Sequence, residues 1–112
     1  MNNLKILDLD HNQITDLSPL SKSNLNNLEL LDIGDNQIKD ISPLNKMNEL
    51  KGLILEKNQI TDISPLSKLN DLKVLILSEN QITDISPLSK LNQLNFLFLY
   101  TCIIITLGIY RR

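Results

Sequence analysis

The chain repeats itself. Four segments, Leu4-Lys-Ile-Leu-Asp-Leu-Asp-His-Asn12, Leu28-Glu-Leu-Leu-Asp-Ile-Gly-Asp-Asn36, Leu50-Lys-Gly-Leu-Ile-Leu-Glu-Lys-Asn58 and Leu72-Lys-Val-Leu-Ile-Leu-Ser-Glu-Asn80, follow one pattern, L-x-x-L-x-L/I-x-x-N. The asparagines at 12, 36, 58 and 80 lie 24, 22 and 22 residues apart, and the longer first interval comes from two extra residues within 21–27. Each Asn is followed by Gln-Ile and then by Asp-Ile/Leu-Ser-Pro-Leu, at 16–20, 40–44, 62–66 and 84–88. A unit this short cannot bury its own leucines. Copies must therefore stack, each covering the apolar face of the next.

The unit reads as a strand, a turn and a short helical return. In Leu-x-x-Leu-x-Leu the last two leucines alternate with variable residues, the period of a strand with one buried face. The Asn sits where the chain leaves that strand, and its amide can bond backbone groups of the turn and of the neighbouring coil. Ile14, Ile38, Ile60 and Ile82 re-enter the core. Asp-x-Ser-Pro-Leu predicts a 3₁₀ or short helical turn with Ser as cap and Pro at the first helical position. Leu25, Met47, Leu69 and Leu91 are the last apolar anchors before the next strand.

This pattern resembles the leucine-rich repeat, and more narrowly the 22-residue bacterial repeat of internalins. Asn-Gln-Ile-Thr-Asp-Ile-Ser-Pro-Leu, at 58–66 and 80–88, is very close to the internalin unit, and the resemblance covers roughly residues 4–104. A similar unit occurs in a eukaryotic regulatory subunit of a serine/threonine protein phosphatase, but the Ser-Pro-Leu turn and the Lys, Asn and Ile richness look more bacterial. The resemblance implies an α/β fold of about five repeats: a curved right-handed solenoid with a parallel sheet on its concave face and 3₁₀ or irregular turns on its convex face. It also implies protein binding on the concave sheet and no enzymatic activity.

The expected organisation is a single domain, residues 1–112, with repeats at about 4–27, 28–49, 50–71, 72–93 and a degenerate fifth at 94–112. Met1-Asn-Asn leads straight into a repeat strand, with no basic segment followed by an apolar one, so neither a secretory signal nor an N-terminal cap is expected. The family is typically secreted or displayed at the cell surface. This chain reads instead as cytoplasmic or as a fragment of a surface protein. Terminal coils without caps expose leucine faces, and self-association through those ends is the expected consequence.

The C-terminal stretch carries three readings. Leu94, Leu97, Leu99, Ile104 and Leu107 keep the phase of the fourth repeat, with Cys102 in the Asn slot, a replacement the family tolerates, although Asp-x-Ser-Pro gives way to Thr106-Leu-Gly-Ile109. A membrane anchor is the second, since no charge interrupts Leu91–Tyr110 and two arginines follow. Asn92, Gln93 and Asn95 leave only 15 residues from Phe96 to Tyr110, against about 20 for a span. A truncated or frame-shifted end, leaving an orphan fragment without a partner, is the third.

Composition removes most chemistry. A formal charge of -2 and 4% aromatics provide neither the basic footprint nor the stacking platforms of a nucleic-acid binder. One Cys and one His exclude an internal disulfide framework and a His-rich metal site. Asp8-x-Asp10-x-Asn12 opens like a calcium loop, but Gln13 and Pro19 stand where the loop needs Gly and Glu. His11 reads as an exposed turn residue without a carboxylate partner, and Cys102 as a buried, inert thiol. The Asp column 16, 40, 62, 84 recurs with the repeat and is read as a structural turn acceptor. Gly34, Gly52 and Gly108 form no phosphate loop. No cofactor and no metal is expected.

What remains free to vary is the outward face of each strand. Its third-position column reads Ile6, Leu30, Gly52, Val74, Phe96; the fifth reads Asp8, Asp32, Ile54, Ile76, Phe98; the seventh reads Asp10, Gly34, Glu56, Ser78, Tyr100. Exposed Ile and Phe on adjacent strands make a contiguous apolar patch of the kind that marks protein contacts. The candidate protein-binding residues are Ile54, Ile76, Phe96, Phe98, Tyr100, Asp8, Asp10 and Asp32, facing a protein partner.

Overall fold

A computed structural model describes residues 3–99. Five three-residue strands, β1 (Ile6–Asp8), β2 (Leu30–Asp32), β3 (Gly52–Ile54), β4 (Val74–Ile76) and β5 (Phe96–Phe98), form one parallel sheet in sequence order. The registers chain together without a slip. Ile6, Leu30, Gly52, Val74 and Phe96 pair in one row, and Asp8, Asp32, Ile54, Ile76 and Phe98 in another. These are the third- and fifth-position columns of the repeat. The architecture is a leucine-rich-repeat solenoid, as the resemblance implies.

The middle row, Leu7, Leu31, Leu53, Leu75 and Leu97, points inward. In the interior coils Leu31, Leu53 and Leu75 are fully buried, together with Ile38, Ile60 and Ile82. Leu25, Met47, Leu69 and Leu91 close the core from the return side. The first coil is looser: Leu4, Leu7, Leu9 and Ile14 are only partly buried.

The returns differ in length. Ser42–Leu44, Ser64–Leu66 and Ser86–Leu88 are single 3₁₀ turns, whereas Ser18–Lys22 makes a five-residue α-helix, α1. The two extra residues that follow it give the chain the slack for that wider turn.

Here the structure corrects the sequence reading. Ser does not cap these turns; it is their first residue. The acceptor is the Asp two positions earlier, whose Oδ1 takes the Ser N–H at 2.9 Å in all four copies. An exposed first-turn N–H would otherwise lack a partner, and a short acidic side chain reaches it from outside the turn. Proline follows and needs no donor acceptor of its own.

Strands β1 to β4 are each left through a residue in the left-handed region. His11, Asp35, Lys57 and Glu79 have φ between 53° and 59°. The next residue, Asn, thereby turns inward. Asn36 donates to Leu9 O, Ile33 O and Gly34 O while its Oδ1 accepts Ile14 N–H. Asn58 and Asn80 repeat this set one and two coils later. Asn12, in the first coil, is exposed and, among the described residues, bonds its own turn.

Candidate functional site: the concave sheet face

Alternation in the strands turns the first and third residue of each outward. Phe96 and Phe98 are exposed on this face, at 58% and 50%, and Ile6 is open at 61%. Ile54 and Ile76 are half-buried beside them. Adjacent parallel strands lie about 4.8 Å apart, so Ile54, Ile76 and Phe98, paired in one register row, make a continuous apolar strip. Tyr100 lies outside the described residues.

Gly52 shapes the floor. A Cβ there would lie 2.7 Å from Leu30 Cδ1, so the absence of a side chain lets Leu30 lean across the strand. Beside it runs a groove of about 490 Å³, floored by Ile6, Leu30, Gly52 and Val74 and walled by Lys5, Glu29, Lys51 and Lys73. Glu29 is flanked by two of these lysines, at 3.4 Å from Lys5 Nζ and 3.8 Å from Lys51 Nζ.

At the other end of the strands the charge is negative. One carboxylate oxygen each from Asp8, Asp10 and Asp32 lies within 4.8 Å of the others. Glu56 leans across Gly34, its Cγ 3.3 Å from where a Cβ would stand, next to Asp32 Oδ1 at 3.4 Å. The three aspartates are the residues here that could hold a cation, though Asp8 and Asp32 already accept the backbone N–H of Asp10 and Gly34. The third residue of the sequence motif, Asn12, is not part of this group, and Asp32 of the next coil stands in its place.

His11 is not without carboxylate partners, contrary to the sequence reading. Its Nδ1 lies 2.9 Å from Asp10 Oδ2 and its Nε2 lies 3.4 Å from Asp35 Oδ2. Asp35 comes from the next coil, 24 residues on, and stacking alone brings it there. The ring is otherwise open to solvent, with 74% of its side chain exposed.

On the convex side the carboxyls of Asp16, Asp40 and Asp84 are held below the usual aspartate value, first by the backbone N–H of Ser18, Ser42 and Ser86 and then by the same residues' hydroxyls. A depressed carboxylate bonded to its own turn is a poor proton acceptor, which fits a structural column rather than acid–base work. No helix among the described residues is long and apolar enough to cross a membrane. Of the apolar C-terminal stretch, Phe96–Phe98 is strand β5; Cys102 and residues 100–112 fall outside the described part.

A family model described as "Leucine Rich repeats (2 copies)" matches residues 2–46 and 71–110. No curated protein matches the chain. Among solved structures, internalin C2 of Listeria monocytogenes is similar with 46% identity and a TM-score of 0.83, over 88% of this chain and 42% of that one. A second internalin of the same organism, inlF, shows 39% identity and a TM-score of 0.74, over 88% and 35%. The TLR13–ssRNA13 complex aligns at 31% identity and a TM-score of 0.76, over 90% and 15%. The chain thus spans less than half the length of the structures it resembles.

Proposed function

The chain belongs to the leucine-rich repeat family, with repeats of the internalin kind, and on that premise we propose that it is a non-enzymatic module that binds a protein partner on its concave sheet face. The observation that carries this is the unbroken register row Ile54–Ile76–Phe98, with Phe96 exposed beside it. Nothing in the fold requires large apolar side chains there, since the same row begins with two aspartates. Aromatic and aliphatic groups held in place by a sheet lose little freedom on contact and are the types that dominate binding hot spots.

Asp8, Asp10 and Asp32 favour a partner that brings basic residues to that corner, mainly by raising the association rate. One match is to a complex whose ligand is RNA, but this face carries a cluster of carboxylates and few aromatics, which speaks for protein. The test is the triple change of Ile54, Ile76 and Phe98 to Ser, read against an interactor isolated with the parent chain. Loss of capture with the fold intact by circular dichroism is the expected result. Capture that survives moves the contact to the convex side of Lys46, Lys68 and Lys90.

A further inference from the structure

The concave face is electrically two-sided, and the division runs across the strands. At their beginning stand Lys5, Lys51 and Lys73, offset only by Glu29. Past their end stand Asp10 and Glu56, while Asp8 and Asp32 fill the first two places of the row that continues as Ile54, Ile76 and Phe98. Between the two rims lie the outward rows, one of them Ile6, Leu30, Gly52, Val74 and Phe96, the other apolar from Ile54 onward. Five residue steps separate Lys51 from Glu56, or roughly 16 Å at about 3.3 Å per residue. An α-helix with its side chains is about 10–12 Å wide. Five strands span roughly 19 Å at about 4.8 Å each, which a helix at about 1.5 Å per residue crosses in about 13 residues.

We propose that this face takes a single amphipathic helix laid across the strands, its apolar ridge on Ile54, Ile76 and Phe98 and giving way to basic residues over Asp8 and Asp32 in the same row, with an acidic flank against Lys5, Lys51 and Lys73 and a basic flank against Asp10 and Glu56. This rests on the concave-face reading and adds the chemistry of the occupant. A helix with one kind of charge on both flanks meets attraction on one rim and repulsion on the other. A helix with divided flanks meets attraction on both, in one direction only. Charge division therefore selects the partner and sets its polarity, while the apolar ridge contributes most of the contact.

Three synthetic 14-residue helical peptides with the same apolar ridge test this by fluorescence anisotropy with the full chain: one acidic on one flank and basic on the other, one acidic on both, one basic on both. The divided peptide should bind about tenfold or more tighter than either control at low salt, and the gap should narrow as salt rises. Reversing the exposed rim with Lys51→Glu and Lys73→Glu should transfer the preference to the all-basic peptide. Equal affinities, no binding by the divided peptide, or a preference unmoved by the reversal overturns the inference. The Ile54, Ile76, Phe98 to Ser chain separates the two levels. If it still binds all three peptides as the parent does, the concave-face reading fails as well; if it loses them while charge makes no difference, only the divided-helix inference fails.

Discussion

The carboxamide oxygen of Asn58 accepts the backbone N–H of Ile38 at 3.0 Å, from a residue 20 positions earlier and one coil away. Its nitrogen donates to Ile33 O in that same coil and to Leu55 O and Glu56 O in its own. One side chain thus ties two coils, and both ends of the amide are needed.

Asn58→Ala should leave the Ile38 N–H without a partner in the interior and cost about 1–3 kcal/mol. Asn12→Ala is the internal comparison, because Asn12 is exposed and, among the described residues, bonds Leu9 O and Asp10 O of its own turn. It should cost well under half as much, and Thr61→Ala, on the outer surface, about nothing. Urea unfolding of the three variants checks the order, and equal losses at 58 and 12 would contradict the bridging role.

The bridging asparagines were legible from sequence because they recur at fixed spacing in a chain whose units must stack. So were the inward leucines and the outward rows, since the alternation of a strand leaves no other choice once the repeat is aligned. The residue before each Asn was not legible. His11, Asp35, Lys57 and Glu79 share a left-handed conformation but no residue type, and none is Gly or Asn. The pairing of His11 with Asp35 was hidden for a different reason: it exists only after coil stacking. Of the two turn residues in each return, Asp was read correctly as the acceptor and Ser wrongly as the cap, because the pattern alone does not say which of two neighbouring polar side chains bonds the first-turn N–H.

That left-handed position makes the second prediction. A side chain there costs about 1–2 kcal/mol, and a β-branched one more. Lys57→Gly removes the clash and adds chain entropy to the unfolded state, so its net gain should be small, at most about 1 kcal/mol. Lys57→Ile should destabilise clearly. Urea midpoints ordered Gly, then Lys, then Ile are expected, and an Ile variant as stable as the parent would refute the role of φ.

Acid should loosen the convex returns. Asp16, Asp40 and Asp84 have folded values below the ordinary aspartate 3.8 because Ser18, Ser42 and Ser86 donate to them. The unfolded chain therefore binds protons first as pH falls. The stability these bonds supply is complete above the ordinary value and is lost as pH drops through the lower folded values. Changing the three to Asn keeps an acceptor oxygen and removes the titration. Thermal melts of parent and variant between pH 5 and pH 2 should converge toward the acid end, with the variant's dependence on pH the flatter; parallel curves would mean that other groups govern acid unfolding.

The partly open first coil predicts self-association of the 112-residue chain. Leu7, Leu9 and Ile14 keep apolar surface that Leu31, Ile33 and Ile38 bury completely one coil later. Light scattering over a concentration series should show mass rising above that of one chain. Leu9→Lys, at a position open enough to take a charge, should shift the series toward monomer. A strict monomer at every concentration would show that this surface is insufficient to drive pairing.

Gly52 separates folding from recognition. Its φ is not positive, so the backbone does not require glycine. The only close neighbour of an added Cβ is Leu30 Cδ1, the far end of a half-buried side chain that can swing outward. Gly52→Ala should therefore leave the melting temperature unchanged or slightly raised, since Gly in a strand costs roughly 0.5–1 kcal/mol relative to Ala. Swung away from the new Cβ, Leu30 fills part of the groove of about 490 Å³ that it lines with Ile6 and Val74. An occupant of the concave face loses that space, and its affinity should fall severalfold while the fold stays intact. Unfolding by the substitution would show that Leu30 is pinned; unchanged affinity would place the contact away from the groove.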